Sequence, residues 1–112
     1  MEITVAKIAD VVTLRLLGKL DATVADAFEE EILGQIDSGE RLIVVDLARL
    51  DYIASAGLRV LAFANKRLNG ANGRMALCSL QEHVREVFDV VGFLSLFPVY
   101  DSHEDAARSF LT

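Results

Sequence analysis

A chain of 112 residues, 53% of them hydrophobic and with a single proline, has the apolar material for one compact core and shows no linker composition; one domain over residues 1–112 is expected. Eleven Lys and Arg against seventeen Asp and Glu leave a formal net charge of −6, which works against non-specific attraction to nucleic acid or to anionic membrane surfaces. One cysteine excludes an intrachain disulfide, and two histidines far apart in sequence offer no metal-ligand spacing. The N-terminus lacks a basic segment followed by an apolar one, and no apolar stretch approaches membrane-spanning length. A cytoplasmic protein without cofactor, metal or membrane insertion is therefore expected, with a protein or a small ligand as partner.

In chain order, Ile3 and Val5, then Val12, Leu14 and Leu16, alternate with period two around a polar turn near Ala9-Asp10, which predicts a hairpin with one face buried. Gly18-Lys19-Leu20-Asp21 ends it. Asp21 or Thr23 is then placed to cap a helix carrying Val24, Phe28, Ile32 and Ile36 at spacings of four, with Gly39 at its end. Leu42 to Val45 is a short unbroken apolar run, the pattern of a strand buried on both faces, and the polar stretch from Asp46 to Asp51 predicts a turn after it. Ser55 precedes a helix predicted from about Ala56 to Leu68, whose wide apolar surface implies burial against the sheet. Asn69 to Gly73 stops that helix, Met75 to Cys78 reads as a buried strand, and Val84, Val87, Phe88 and Val91 mark a further helix ending at Gly92. Leu94, Leu96 and Val99-Tyr100 suggest an edge strand limited by Pro98, and Ser102-His103-Glu104-Asp105 is a capping-box start for a closing helix. The predicted order is ββαβαβαβα, an α/β fold with a mixed, largely parallel sheet whose helices cover mainly one face.

The pattern offers little for bond-making chemistry. Asp46 and Asp51 are explained by turn and capping duties, and no Gly-x-Ser-x-Gly surrounds Ser55, because position 53 is Ile. Gly70 and Gly73 follow a helix instead of preceding one, so no phosphate-cradling loop of nucleotide-binding type is present. His83 and His103 fall near helix starts, where ordinary surface histidines are common, and Cys78 reads as a small buried strand residue. Ser55 is what remains: a helix N-cap, or a phosphoryl acceptor beside the positive end of a helix dipole. Ala54, Ala56 and Gly57 leave its hydroxyl unshielded, and phosphorylation there would add about −1.5 to −2 charges at one point.

The segment Val45-Asp46-Leu47-Ala48-Arg49-Leu50-Asp51-Tyr52-Ile53-Ala54-Ser55-Ala56-Gly57-Leu58-Arg59-Val60-Leu61 resembles the signature of the STAS domain of bacterial anti-sigma factor antagonists. In that family a strand and an aspartate lead into an Asp-Ser-Ser/Thr-Gly-Leu helix start. Gly18-Lys19-Leu20-Asp21 is similar to the family's Gly-x-Leu-Asp element, and Val87 to Phe93 to its late helix and turn, so the likeness spans essentially the whole chain. The resemblance implies a STAS-like mixed sheet packed by helices and a regulatory binding protein that is not an enzyme. Its unphosphorylated form would bind an anti-sigma factor serine kinase of the histidine-kinase-like ATPase type and free a sigma factor. Phosphorylation of Ser55 would release it, and a metal-dependent serine phosphatase would restore it. By position the resemblance places Asp21, Ala54, Ser55, Ala56, Gly57, Leu58 and Arg59 on the partner-binding face. Ala54 stands where the family has aspartate, and Ala56 where it has a second serine or threonine. The alternative is a non-switching STAS scaffold subunit of a transport or signalling complex, in which Ser55 is only a cap.

Overall fold

The computed structural model describes residues 1–111. Its elements are β1 (Glu2–Ile8), β2 (Val11–Leu20), α1 (Ala25–Asp37), β3 (Leu42–Ile53), α2 (Ser55–Gly70), β4 (Arg74–Cys78), α3 (Glu82–Val90), a 3-10 turn (Phe93–Ser95), β5 (Val99–Tyr100) and α4 (His103–Ser109). The strands form one sheet in chain order, β1 antiparallel to β2 and every later pair parallel. The expected ββαβαβαβα order is met.

Each parallel connection steps to the next strand in the same direction, and right-handed crossovers of that kind put their helices on one face. Phe28 and Ile32 of α1, Leu61 and Leu68 of α2, and Val84 and Phe88 of α3 accordingly share one core with Leu14, Leu16, Ile43, Val45, Met75 and Leu77. The alternate residues of β3 and β4, Val44, Ala76 and Cys78, point the other way and are covered by Ala106 of α4. That explains the unbroken apolar run at Leu42–Val45: α2 lies on one side of it and α4 on the other.

Four expectations are corrected. The stretch from Asp46 to Asp51 is not a turn but part of β3. It advances by three residues where β2 advances by two, from Arg15/Asp46 to Leu17/Arg49, and again by two against one, from Gly18/Leu50 to Lys19/Tyr52. Each extra residue makes a bulge. Asp46, only 8% exposed, closes the first: its Oδ1 accepts the Ala48 N–H at 3.0 Å while Oδ2 accepts Arg15 Nε at 3.2 Å. The last strand is confined to Val99–Tyr100, and Leu94 and Leu96 lie outside it in and beside the 3-10 turn. β1 has no buried face. It forms the sheet edge, where Ile3 alone reaches the core and Val5 and Ile8 stay exposed. α1 is capped by neither Asp21 nor Thr23, since Val24 holds the N-cap position without a side-chain bond. The capping serine of α4 is as expected, Ser102 accepting the Asp105 N–H at 3.1 Å.

Candidate functional site

The residues singled out around Ser55 come together where β2 and β3 end. The last paired residues are Leu20 and Ile53, and the Ala54 N–H donates to the Leu20 carbonyl at 2.9 Å, so the two strands finish side by side before their chains diverge. One chain enters the Asp21 loop. Asp21 Oδ1 accepts from the Thr23 hydroxyl at 2.6 Å and the Thr23 N–H at 3.0 Å, an Asx turn that leads into α1. The Thr23 hydroxyl bond, helped by main-chain amides, holds the Asp21 carboxyl below the usual carboxylate range despite some loss of solvent.

The other chain enters α2, and here a further expectation is corrected. Ser55 is not the N-cap. Ala54 occupies that position in an extended conformation, its carbonyl accepting the Gly57 and Leu58 N–H groups at 2.9 and 3.1 Å, and no side chain caps the helix. The strand-to-helix turn is fixed by the main-chain bond to Leu20, so the cap falls one residue earlier than the serine signal indicates. Ser55 is therefore the first helical residue. Its hydroxyl is exposed and has no hydrogen-bond partner among the described residues. No acidic residue stands in the first turn of α2 to offset the positive end of its dipole.

Gly57 lets the helix approach this closely. A Cβ there would lie 2.6 Å from Leu20 Cγ and 3.1 Å from Ile53 Cγ1. Gly57 and Leu58 are buried and position the turn, while Asp21, Ala54 and Ala56 are half-buried and Ser55 and Arg59 are exposed. Arg59 stands one helical turn after Ser55, between two clefts. One, between α1 and α2, is lined by Asp26, Glu29, Ala56, Val60 and Phe63; the other, between α2 and the end of α3, by Ser55, Leu58, Ala62, Val91 and Phe93.

The second cleft adds Val91 and Phe93, which the sequence reading missed: Val91 is 49% exposed, although the predicted stripe placed it in the core, and Val90, beside it in sequence but outside the cleft, is 85% exposed. The signal for Val90 was available, since it stands about 200° around the helix from the buried Phe88. Elsewhere the chemistry-bearing side chains are in structural use. His83 Nε2 is 2.6 Å from the Asp51 carbonyl, His103 Nε2 is 2.7 Å from Thr13 Oγ1, and Gln81 donates to Asp51. Among the described residues no group of three His, Cys, Asp or Glu is placed to hold a metal ion, and no helix is long and apolar enough to cross a membrane.

Comparison with known proteins agrees with this architecture. A family model, the STAS domain, matches residues 2–106. BtrV of Bordetella bronchiseptica, named as a candidate anti-sigma factor antagonist, is 47% identical over 112 residues, covering all of this chain and 97% of that protein. Among solved structures, a Thermotoga maritima protein described as a candidate anti-sigma factor antagonist superposes with a TM-score of 0.91 at 23% identity, over 96% of this chain and 92% of that one. The Bacillus protein SpoIIAA in its phosphorylated form superposes at 0.76 and 21% identity, over 97% and 99%. These two structural likenesses are likenesses of fold, and with the family match and the sequence relative they place the chain plainly: it belongs to the STAS domain family, among the anti-sigma factor antagonists.

Proposed function

We propose that this protein is a phosphorylation-switched anti-sigma factor antagonist, a cytoplasmic regulator that is a phosphoryl acceptor and not an enzyme. Unphosphorylated, it binds an anti-sigma factor that is also a serine kinase of the histidine-kinase-like ATPase type, through the face built from Asp21, Ala54, Ser55, Ala56 and Arg59, with Gly57 and Leu58 setting the helix start beneath it. Binding frees the sigma factor. The kinase then transfers the γ-phosphoryl group of ATP to Ser55 Oγ, the hydroxyl proton passes to a base of the kinase or to water, and ADP leaves. A serine phosphatase hydrolyses the ester and restores the hydroxyl.

One observation carries this reading: Ser55 has an exposed hydroxyl with no partner among the described residues and no capping duty. A serine kept only as a cap would accept an N–H of its own first turn, as Ser102 does. The new charge, about −1.5 to −2 on a chain of net charge −6, falls at the centre of the proposed face and opposes an acidic partner without altering the fold. The test is calorimetric binding of wild type, Ser55→Ala and Ser55→Asp to candidate serine kinases of the histidine-kinase-like ATPase type from the protein's own cell. Wild type and Ser55→Ala should bind alike and Ser55→Asp at least roughly tenfold more weakly. Equal binding by all three would sink the switch and leave a constitutive scaffold.

A further inference from the structure

Arg59 is the only cation lining either of the two clefts that flank Ser55, and it has no hydrogen bond or ion pair among the described residues. Its position four residues after Ser55 makes the two side chains neighbours on one face of α2. Both border the cleft formed with Leu58, Ala62, Val91 and Phe93. On the other side of Arg59 stand Asp26 and Glu29 of α1, which line the adjacent cleft and do not pair with it.

Resting on the switch proposed above, we infer that Arg59 is the residue through which the phosphate is read: unphosphorylated, it offers its guanidinium to a carboxylate of the partner, and phosphorylated Ser55 captures it in cis. A guanidinium forms two parallel bonds to phosphate oxygens as readily as to a carboxylate, so the same fork serves both states. Modification then does two things at one stroke. It adds negative charge to the face and withdraws from the partner the one cation of the two clefts. The partner chemistry that fits is an acidic side chain set beside an apolar one, the acid on Arg59 and the apolar group in the cleft walled by Ala62, Val91 and Phe93. Ala54 precedes the serine, so no carboxylate at that position competes with the phosphate for Arg59.

The experiment uses the full chain with phosphoserine genetically encoded at position 55, alone and combined with Arg59→Gln, and follows the phosphorus NMR shift against pH. Arg59 is exposed and Gln is a comparable helix former, so both proteins keep the same helix start. The second ionisation of the phosphate should fall roughly 0.5 pH unit lower with Arg59 present than in the Arg59→Gln protein, which lacks the cation. Coincident titration curves overturn the capture, whatever the kinase does. In the unphosphorylated protein Arg59→Gln should weaken kinase binding about tenfold, and the further loss caused by phosphoserine should be smaller than in wild type. Undiminished binding by unphosphorylated Arg59→Gln overturns the partner contact. If phosphoserine leaves kinase binding unchanged while the titration still separates, the switch fails and the intramolecular pair stands.

Discussion

Replacing Gly57 by alanine probes how the fold presents Ser55. Gly57 lies inside α2 with no positive φ, so alanine by itself would favour the helix by about 0.5–1 kcal/mol. Against that stands the contact: the new Cβ would sit 2.6 Å from Leu20 Cγ, 2.8 Å from Leu20 Cδ2 and 3.1 Å from Ile53 Cγ1. Leu20 is 0% exposed and locked in the core, so relief requires an off-rotamer leucine or a lifted first turn, an overpacking cost of about 1–3 kcal/mol. The net expectation is a loss of up to about 2.5 kcal/mol. The chain has no tryptophan, so urea unfolding is followed by far-UV circular dichroism. Leu20→Ala removes the obstructing atoms. It is costly alone, about 2–5 kcal/mol, but the double variant should cost at least about 1 kcal/mol less than the sum of the singles. A Gly57→Ala that stabilises by the full helix gain of about 0.5–1 kcal/mol, or strict additivity with Leu20→Ala, would refute the close approach of α2 to β2.

Three further outcomes follow from the same geometry. Ser55→Ala should change stability by less than about 0.5 kcal/mol, whereas Ser102→Ala, which loses a true cap, should cost about 1 kcal/mol; a cost at Ser55 matching that at Ser102 in thermal and urea unfolding would restore Ser55 as a cap. Asp46→Ala strands the Ala48 amide in the β3 bulge and should cost about 1–2 kcal/mol by urea unfolding, while Asp46→Asn keeps an acceptor there and, with Arg15 partly exposed, should cost under about 1 kcal/mol. The pKa of the Cys78 thiol is pushed up to about 11, first by burial and then by the nearby Asp46 carboxylate. Because the folded state holds this proton more tightly than the unfolded chain, its contribution to stability is intact below about pH 9 and is lost as pH rises towards 11. Alkylation at pH 8 should therefore be slow in the native protein and fast in urea, and Asp46→Asn should lower the thiol pKa; rapid native alkylation would contradict its burial.

Much of this fold was legible because periodicity and punctuation agreed with tertiary packing. The run Leu42–Val45 had to be buried on both faces, and Gly39 ends α1 at a φ of +108° with the Glu40 N–H reaching the Gln35 carbonyl. The misreadings arose where a long-range contact outweighs a local signal. Asp46 looks like a turn residue in sequence, and only its bonds to Ala48 and to Arg15, on a strand 31 residues earlier, show that it closes a bulge and lets β3 run on to Ile53. Ser55 carries a strong capping signal, yet the Ala54–Leu20 main-chain bond sets the helix start one residue sooner. Phe63 belongs to a broad apolar helix surface but is half exposed, since α1 and the sheet leave that edge of α2 open. The Asp21 loop and the start of α2 leave the sheet side by side because Leu20 pairs with Ile53; the two clefts on either side of Arg59, and the exposed valines at the end of α3, depend on how the helices settle against one another.

The most direct test of the central claim incubates the protein with ATP and candidate serine kinases from its own cell, reads the intact mass, and repeats the reaction with Ser55→Ala. One phosphate added to wild type and none to Ser55→Ala is the predicted result. Modification of Ser55→Ala to the same extent as wild type, or a kinase that binds the protein tightly and leaves Ser55 unmodified, would contradict it.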